Sequence, residues 1–262
     1  MRKLIVSAAV AVFLIPFTTV AHSRFDGTWK VDIHKMQLGK PDTYLVKDGM
    51  FNCMSCEPAL QVKMDGQYHS VKDNPYFDKA ATRALSDRRI ELTAKRGEKV
   101  VLTNEFVVSA DDKSLSLVST DATATNSAPV TAKVTYIRVG DQPAGSQPMS
   151  GSWQLAKVSD FSDNGLMFTL KLEGDNVHFT DPTGQSYTAA LGGAEAPYHG
   201  DPGTTGVSVK RVGKNTIEET DKRNNKTIAV LDMAVAPDGK SMTYTVHDLQ
   251  RGRVDKFVAT KQ

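Results

Sequence analysis

Three phrases in this chain occur twice, in the same order and at nearly the same distance. Gly27-Thr28-Trp29-Lys30-Val31 returns as Gly151-Ser152-Trp153-Gln154-Leu155, and Tyr68-His69 returns as Tyr198-His199. The stretch from Val107 to Leu115 returns as Ala234 to Met242, with Asp-x-Lys-Ser held in both. The three offsets drift by only a few positions, which marks an internal duplication. A duplicated chain must build the same core twice. The expected division is a leader at 1–23, a first β-domain at 24–140, a linker at 141–149 and a second β-domain at 150–262. The linker lies in the Gly/Pro/Ser/Gln-rich stretch Gly140–Pro148.

Within each copy the hydrophobic pattern has period two. Runs such as Leu166–Glu173, Val207–Val212 and Met242–His247 alternate or are rich in β-branched residues. Turn signals separate them: Glu173-Gly-Asp-Asn, Asp181-Pro-Thr-Gly, Val212-Gly-Lys-Asn, Lys222-Arg-Asn-Asn and Pro237-Asp-Gly-Lys. The fold class expected is all-β, with eight or nine strands per copy. Two tandem antiparallel up-and-down β-barrels are the simplest arrangement, because closure removes exposed sheet edges.

Each copy opens on Gly-x-Trp and ends on a strand carrying a cation: Trp29 with Arg138, and Trp153 with Lys261, at closely matched separations. This resembles the lipocalin-like (calycin) arrangement, which implies that the four residues are structural and plug the base of each barrel, the cation lying over the indole. The chain also resembles a group of uncharacterised exported bacterial proteins with tandem domains of this kind. The shared phrases are Asn74–Asp78, Ser162–Leu166, Asp181–Tyr187 and Asn215–Arg223. That resemblance implies compartment and architecture, and no activity.

Met-Arg-Lys followed by the apolar run Leu4–Phe17 and small residues reads as a secretory signal peptide, with cleavage after Ala21 or Ser23 fitting equally. The run is too short to span a bilayer, which needs ~20 apolar residues, and no later segment reads as transmembrane. The expected location is periplasmic or secreted. Loss of Arg2 and Lys3 takes the 32 basic residues to 30 against 30 acidic ones. A neutral chain with interspersed signs lacks the basic face that nucleic acid demands.

The only cysteines, Cys53 and Cys56, form a Cys-x-x-Cys. An activated thiol needs a helix N-terminus, whereas Glu57-Pro58 and the residues after them read as a turn into a strand. A structural disulfide is therefore favoured, as expected in an oxidising compartment. A thiol-redox site remains a second reading. A third is a metal site completed by His34, His69 or Glu57; zinc needs four ligands and only one Cys pair exists.

No catalytic motif, phosphate loop or dinucleotide fingerprint is present. Glu218 and Glu219 are adjacent on a strand, point to opposite faces and make no acid/base pair. Tyr68, His69, Tyr198 and His199 are the candidates for lining two pockets, against a bland reading as packing tyrosines with rim histidines. No catalytic residue, metal ligand or cofactor is expected. The leading expectation is a non-enzymatic protein that binds a small apolar or amphipathic ligand inside one or both barrels. The alternative is an interaction module of the cell envelope with solid barrels, binding a partner protein.

Overall fold

The structure is a computed structural model that describes residues 23–124 and 127–262. The expected signal peptide and its cleavage point after Ala21 lie outside the described residues. No helix among the described residues is long and apolar enough to cross a membrane.

The fold is all-β, as two ten-stranded antiparallel sheets, each nearly closed into a barrel. The strands are β1 (Gly27–Val31), β2 (Asp42–Lys47), β3 (Met50–Cys53), β4 (Leu60–Lys63), β5 (His69–Ser70), β6 (Lys79–Ser86), β7 (Arg89–Arg96), β8 (Lys99–Val108), β9 (Ser114–Asp121) and β10 (Val130–Val139). They continue as β11 (Gly151–Phe161), β12 (Met167–Glu173), β13 (Asn176–Thr180), β14 (Ser186–Ala190), β15 (Ala196–Pro197), β16 (Gly206–Gly213), β17 (Thr216–Arg223), β18 (Lys226–Val235), β19 (Ser241–Asp248) and β20 (Arg253–Lys261). Hairpin chemistry follows the sequence: Asn224 and Asn225 both adopt positive φ, as a two-residue turn between β17 and β18 requires.

The order of strands corrects the expected division. One sheet runs β4-β3-β2-β11-β10-β9-β8-β7-β6-β5, a contiguous barrel over 42–161; the other runs β14-β13-β12-β1-β20-β19-β18-β17-β16-β15. The Gly-x-Trp strand of each repeat thus completes the barrel of the other. Residues 141–149 do not separate two domains. They turn β10 into its own neighbour β11, and Met149 within them is buried in the core of barrel one. The pairing of base residues is crossed to match. Arg138 covers Trp153 at 4.1 Å and Lys261 covers Trp29 at 4.8 Å, in place of Arg138 with Trp29 and Lys261 with Trp153. Both indoles are fully buried, and each N–H donates to the carbonyl four residues back, Phe25 and Met149 (2.9 Å each).

The barrels touch through the segment that leads from β1 to β2. Gln37 bridges Lys256, the Gly39 N–H donates to Asp255 (3.0 Å), and Arg253 of barrel two reaches Asp42 of barrel one at 3.6 Å. Glycine is required at position 39, because a Cβ there would lie 2.2 Å from the Val254 carbonyl oxygen.

Candidate functional site

Barrel two is solid at its base and hollow above it. Trp29, Leu170, Val177, Ile217, Met242 and Ala259 are essentially fully buried and fill the lower layer. Above them lies a cavity of about 380 Å³, within the ~300–1,000 Å³ typical of small-molecule sites. Phe168, Phe179, Tyr198, Tyr244 and Phe257 wall it, Leu231 and Met233 add apolar surface, and Met36 reaches in from the segment after β1. The rings form a connected set, with Phe179 stacked on Tyr187 (5.1 Å) and Phe168 on Tyr244 (6.2 Å).

Two carboxyl groups enter this aromatic chamber from β17. Successive side chains of a strand alternate faces, so Ile217, Glu219 and Asp221 all turn inward, while Glu218 turns out into an ion pair with Lys210 (2.7 Å). Glu219 is 5 % exposed and accepts a hydrogen bond from the Tyr187 hydroxyl. Asp221 lies against Glu219, and its Oδ1 is buried with no hydrogen-bond partner among the described residues. Burial raises the pKa of Glu219. Burial, reinforced by the neighbouring Glu219, raises Asp221 to about 9. Two carboxyls this close in a desolvated site do not both ionise, so at neutral pH they share a proton. Burial also pushes the Tyr187, Tyr198 and Tyr244 hydroxyls upward, so these stay neutral donors.

The expected pocket residues divide unevenly. Tyr198 faces the cavity and donates to Gln185 (2.8 Å), whereas His199 is an exposed neighbour whose backbone bridges Ser186 and helps close the barrel. Tyr68 lies outside barrel one, its ring under Lys95 (4.4 Å) and its hydroxyl bonded to Thr93 (3.1 Å). His69 pairs with Asp65 at 2.8 Å. The two Tyr-His pairs, equivalent in sequence, are therefore not equivalent in space. The reason is local: the segment before β5 folds over the outer face of β7.

Cys53 and Cys56 are joined by a disulfide with an S–S distance of 2.05 Å. His34 is exposed on a 3-10 turn, and Glu57 reaches Gln250, so the residues considered for a metal do not converge. The disulfide borders a smaller space of about 200 Å³ in barrel one. The middle of that barrel is occupied by the Tyr44, Phe51 and Phe106 rings, 5.5–6.1 Å apart.

Sequence reasoning missed the Glu219–Asp221 pair because it tested adjacent carboxylates rather than alternate ones. The signal was available as Ile217-x-Glu219-x-Asp221, a polar interruption on the inward face of a predicted strand. No family model, curated protein or solved structure matches the chain.

Proposed function

We propose that this is an exported, non-enzymatic binding protein whose second barrel holds one small amphipathic molecule. The observation that carries the reading is the aromatic cavity of about 380 Å³ with buried carboxyls at its wall. Protein interiors are ordinarily packed to crystal density, and the base of the same barrel is. An open chamber lined by rings leaves apolar surface against water, and a ligand that covers this surface gains the free energy of its burial. Export rests on the expected leader and fits a chain whose only two cysteines form a disulfide. Barrel one has a smaller, ring-filled interior.

The test uses the neutral fluorophore N-phenyl-1-naphthylamine and a variant that fills the chamber, Leu231→Trp. Saturable fluorescence enhancement with the unmodified protein, lost in the folded variant, is expected. Absent enhancement, or enhancement indifferent to the filling substitution, overturns the reading.

A further inference from the structure

Resting on that reading of barrel two, we infer that its ligand carries a protonated amine, held by the carboxyl pair Glu219 and Asp221.

The duplication supplies the first support. Strand β7, Arg89-Ile-Glu-Leu-Thr-Ala-Lys-Arg96, aligns with β17, Thr216-Ile-Glu-Glu-Thr-Asp-Lys-Arg223, in the register that also matches Val107–Leu115 to Ala234–Met242. The outward residues Glu91 and Glu218, Thr93 and Thr220, and Lys95 and Lys222 are the same in both. The inward residues after the isoleucine are not: Leu92 and Ala94 in barrel one become Glu219 and Asp221 in barrel two. Both apolar residues are fully packed where they occur. Barrel one shows that the strand needs no acid there to fold, so the acids mark the barrel that has the chamber.

Charge supplies the second. The cavity is lined by Asp181, Asp201, Glu219 and Asp221, and among the described residues by no lysine, arginine or histidine. Buried carboxyls without a cation are costly, and the Asp221 Oδ1 that lacks a partner is an unmet acceptor. From the elements packed around the pair, the facing titratable groups are Tyr187, Tyr198, Tyr244 and Asp201, which offer hydroxyls and another acid. Arg223, next on the same face of β17, donates instead to the Gly203 carbonyl (2.6 Å) and to Gln250 (3.3 Å).

The aromatic wall supplies the third. Ring faces attract ammonium groups, most when desolvated, and Phe179, Tyr198 and Tyr244 stand around the acids. An incoming ammonium takes the place of the shared proton, which leaves to solvent, and donates to both carboxyls through charge-assisted hydrogen bonds. The organic body lies among the rings. A chamber of about 380 Å³ fits a single-ring or short-chain amine. It corresponds to about a dozen waters at ~30 Å³ each.

Calorimetric titration with 4-phenylbutylamine, 4-phenylbutanol and 4-phenylbutyrate separates the possibilities, because the three share a body and differ in the head. The amine should bind at least about tenfold tighter than the alcohol, the scale of a charge-assisted bond, and the carboxylate weakest. The double variant Glu219→Gln/Asp221→Asn should erase the preference for the amine over the alcohol. An amine no tighter than the alcohol, while the fluorophore binds, overturns the inference and leaves the binding role standing. Failure of every compound, fluorophore included, overturns both. If the double variant does not fold, the head-group series on the unmodified protein decides alone.

Discussion

The guanidinium of Arg138 lies 4.1 Å from the ring of Trp153, which opens the following sequence repeat. It also donates to the carbonyls of Asp112 (2.7 Å) and Ser150 (2.6 Å), so it fastens the start of β11 to barrel one. Lys261 does the same for β1 in barrel two, reaching the carbonyls of Asp26 (2.7 Å) and Arg24 (2.9 Å). The strand exchange is therefore pinned in both barrels.

A double-mutant cycle checks the crossed pairing. Arg138→Met and Trp153→Leu should couple by ~0.5–2 kcal/mol, the range of cation–π contacts, in denaturant unfolding. Arg138→Met with Trp29→Leu should be additive, since those residues sit in different barrels.

The same topology predicts which fragment folds. Residues 40–161 contain every strand of barrel one and should unfold cooperatively when expressed alone. Residues 24–140 lack β11, the neighbour of both β2 and β10. They should show exposed apolar surface by dye binding and no sharp thermal transition.

How far the sequence foretold this depends on what each signal encodes. Alternation and turn residues report local geometry, so the all-β class and hairpins such as Asn224-Asn225 were legible. The repeat made two barrels legible as well. It left open which Gly-x-Trp strand joins which barrel, because Gly27–Val31 and Gly151–Leu155 are near-copies that fit either opening. Loop closure decides: β11 follows β10 through the eleven-residue connection 140–150 and pairs with it locally, whereas about a hundred residues separate β1 from β10. The chamber was invisible for another reason. Hollowness depends on how side chains from many strands fill a space, and Leu92 against Glu219 reads as a minor difference until both are seen to face inward.

Reduction should affect barrel one alone. The Cys53–Cys56 bridge closes a very short loop, for which chain entropy gives roughly 2 kcal/mol. Cys53→Ser/Cys56→Ser should lower the barrel-one transition by up to about that amount and leave fluorophore affinity unchanged. A thiol assay on the unreduced protein should find no free cysteine.

Stability should fall as pH rises. Asp221, raised by burial and by Glu219 to about 9, keeps a proton in the folded state that the unfolded chain releases near the ordinary carboxylate pKa of ~4. Between those values the folded state binds more protons, so the unfolding free energy declines with pH, by at most ~1.4 kcal/mol per unit for one proton. The contribution is complete below the unfolded value and lost by the time pH passes the folded one. Urea melts at pH 6 and 8.5 should show this decline, and Asp221→Asn should flatten it.

Capture of an amine by Glu219 and Asp221 is seen most plainly in a crystal structure of the protein with 4-phenylbutylamine. The ring should lie among Phe168, Phe179 and Tyr244, with the nitrogen within ~2.7–2.9 Å of a carboxyl oxygen of the pair. A ligand bound in barrel one, between the barrels, or with its nitrogen turned away from both carboxyls would refute amine recognition in barrel two.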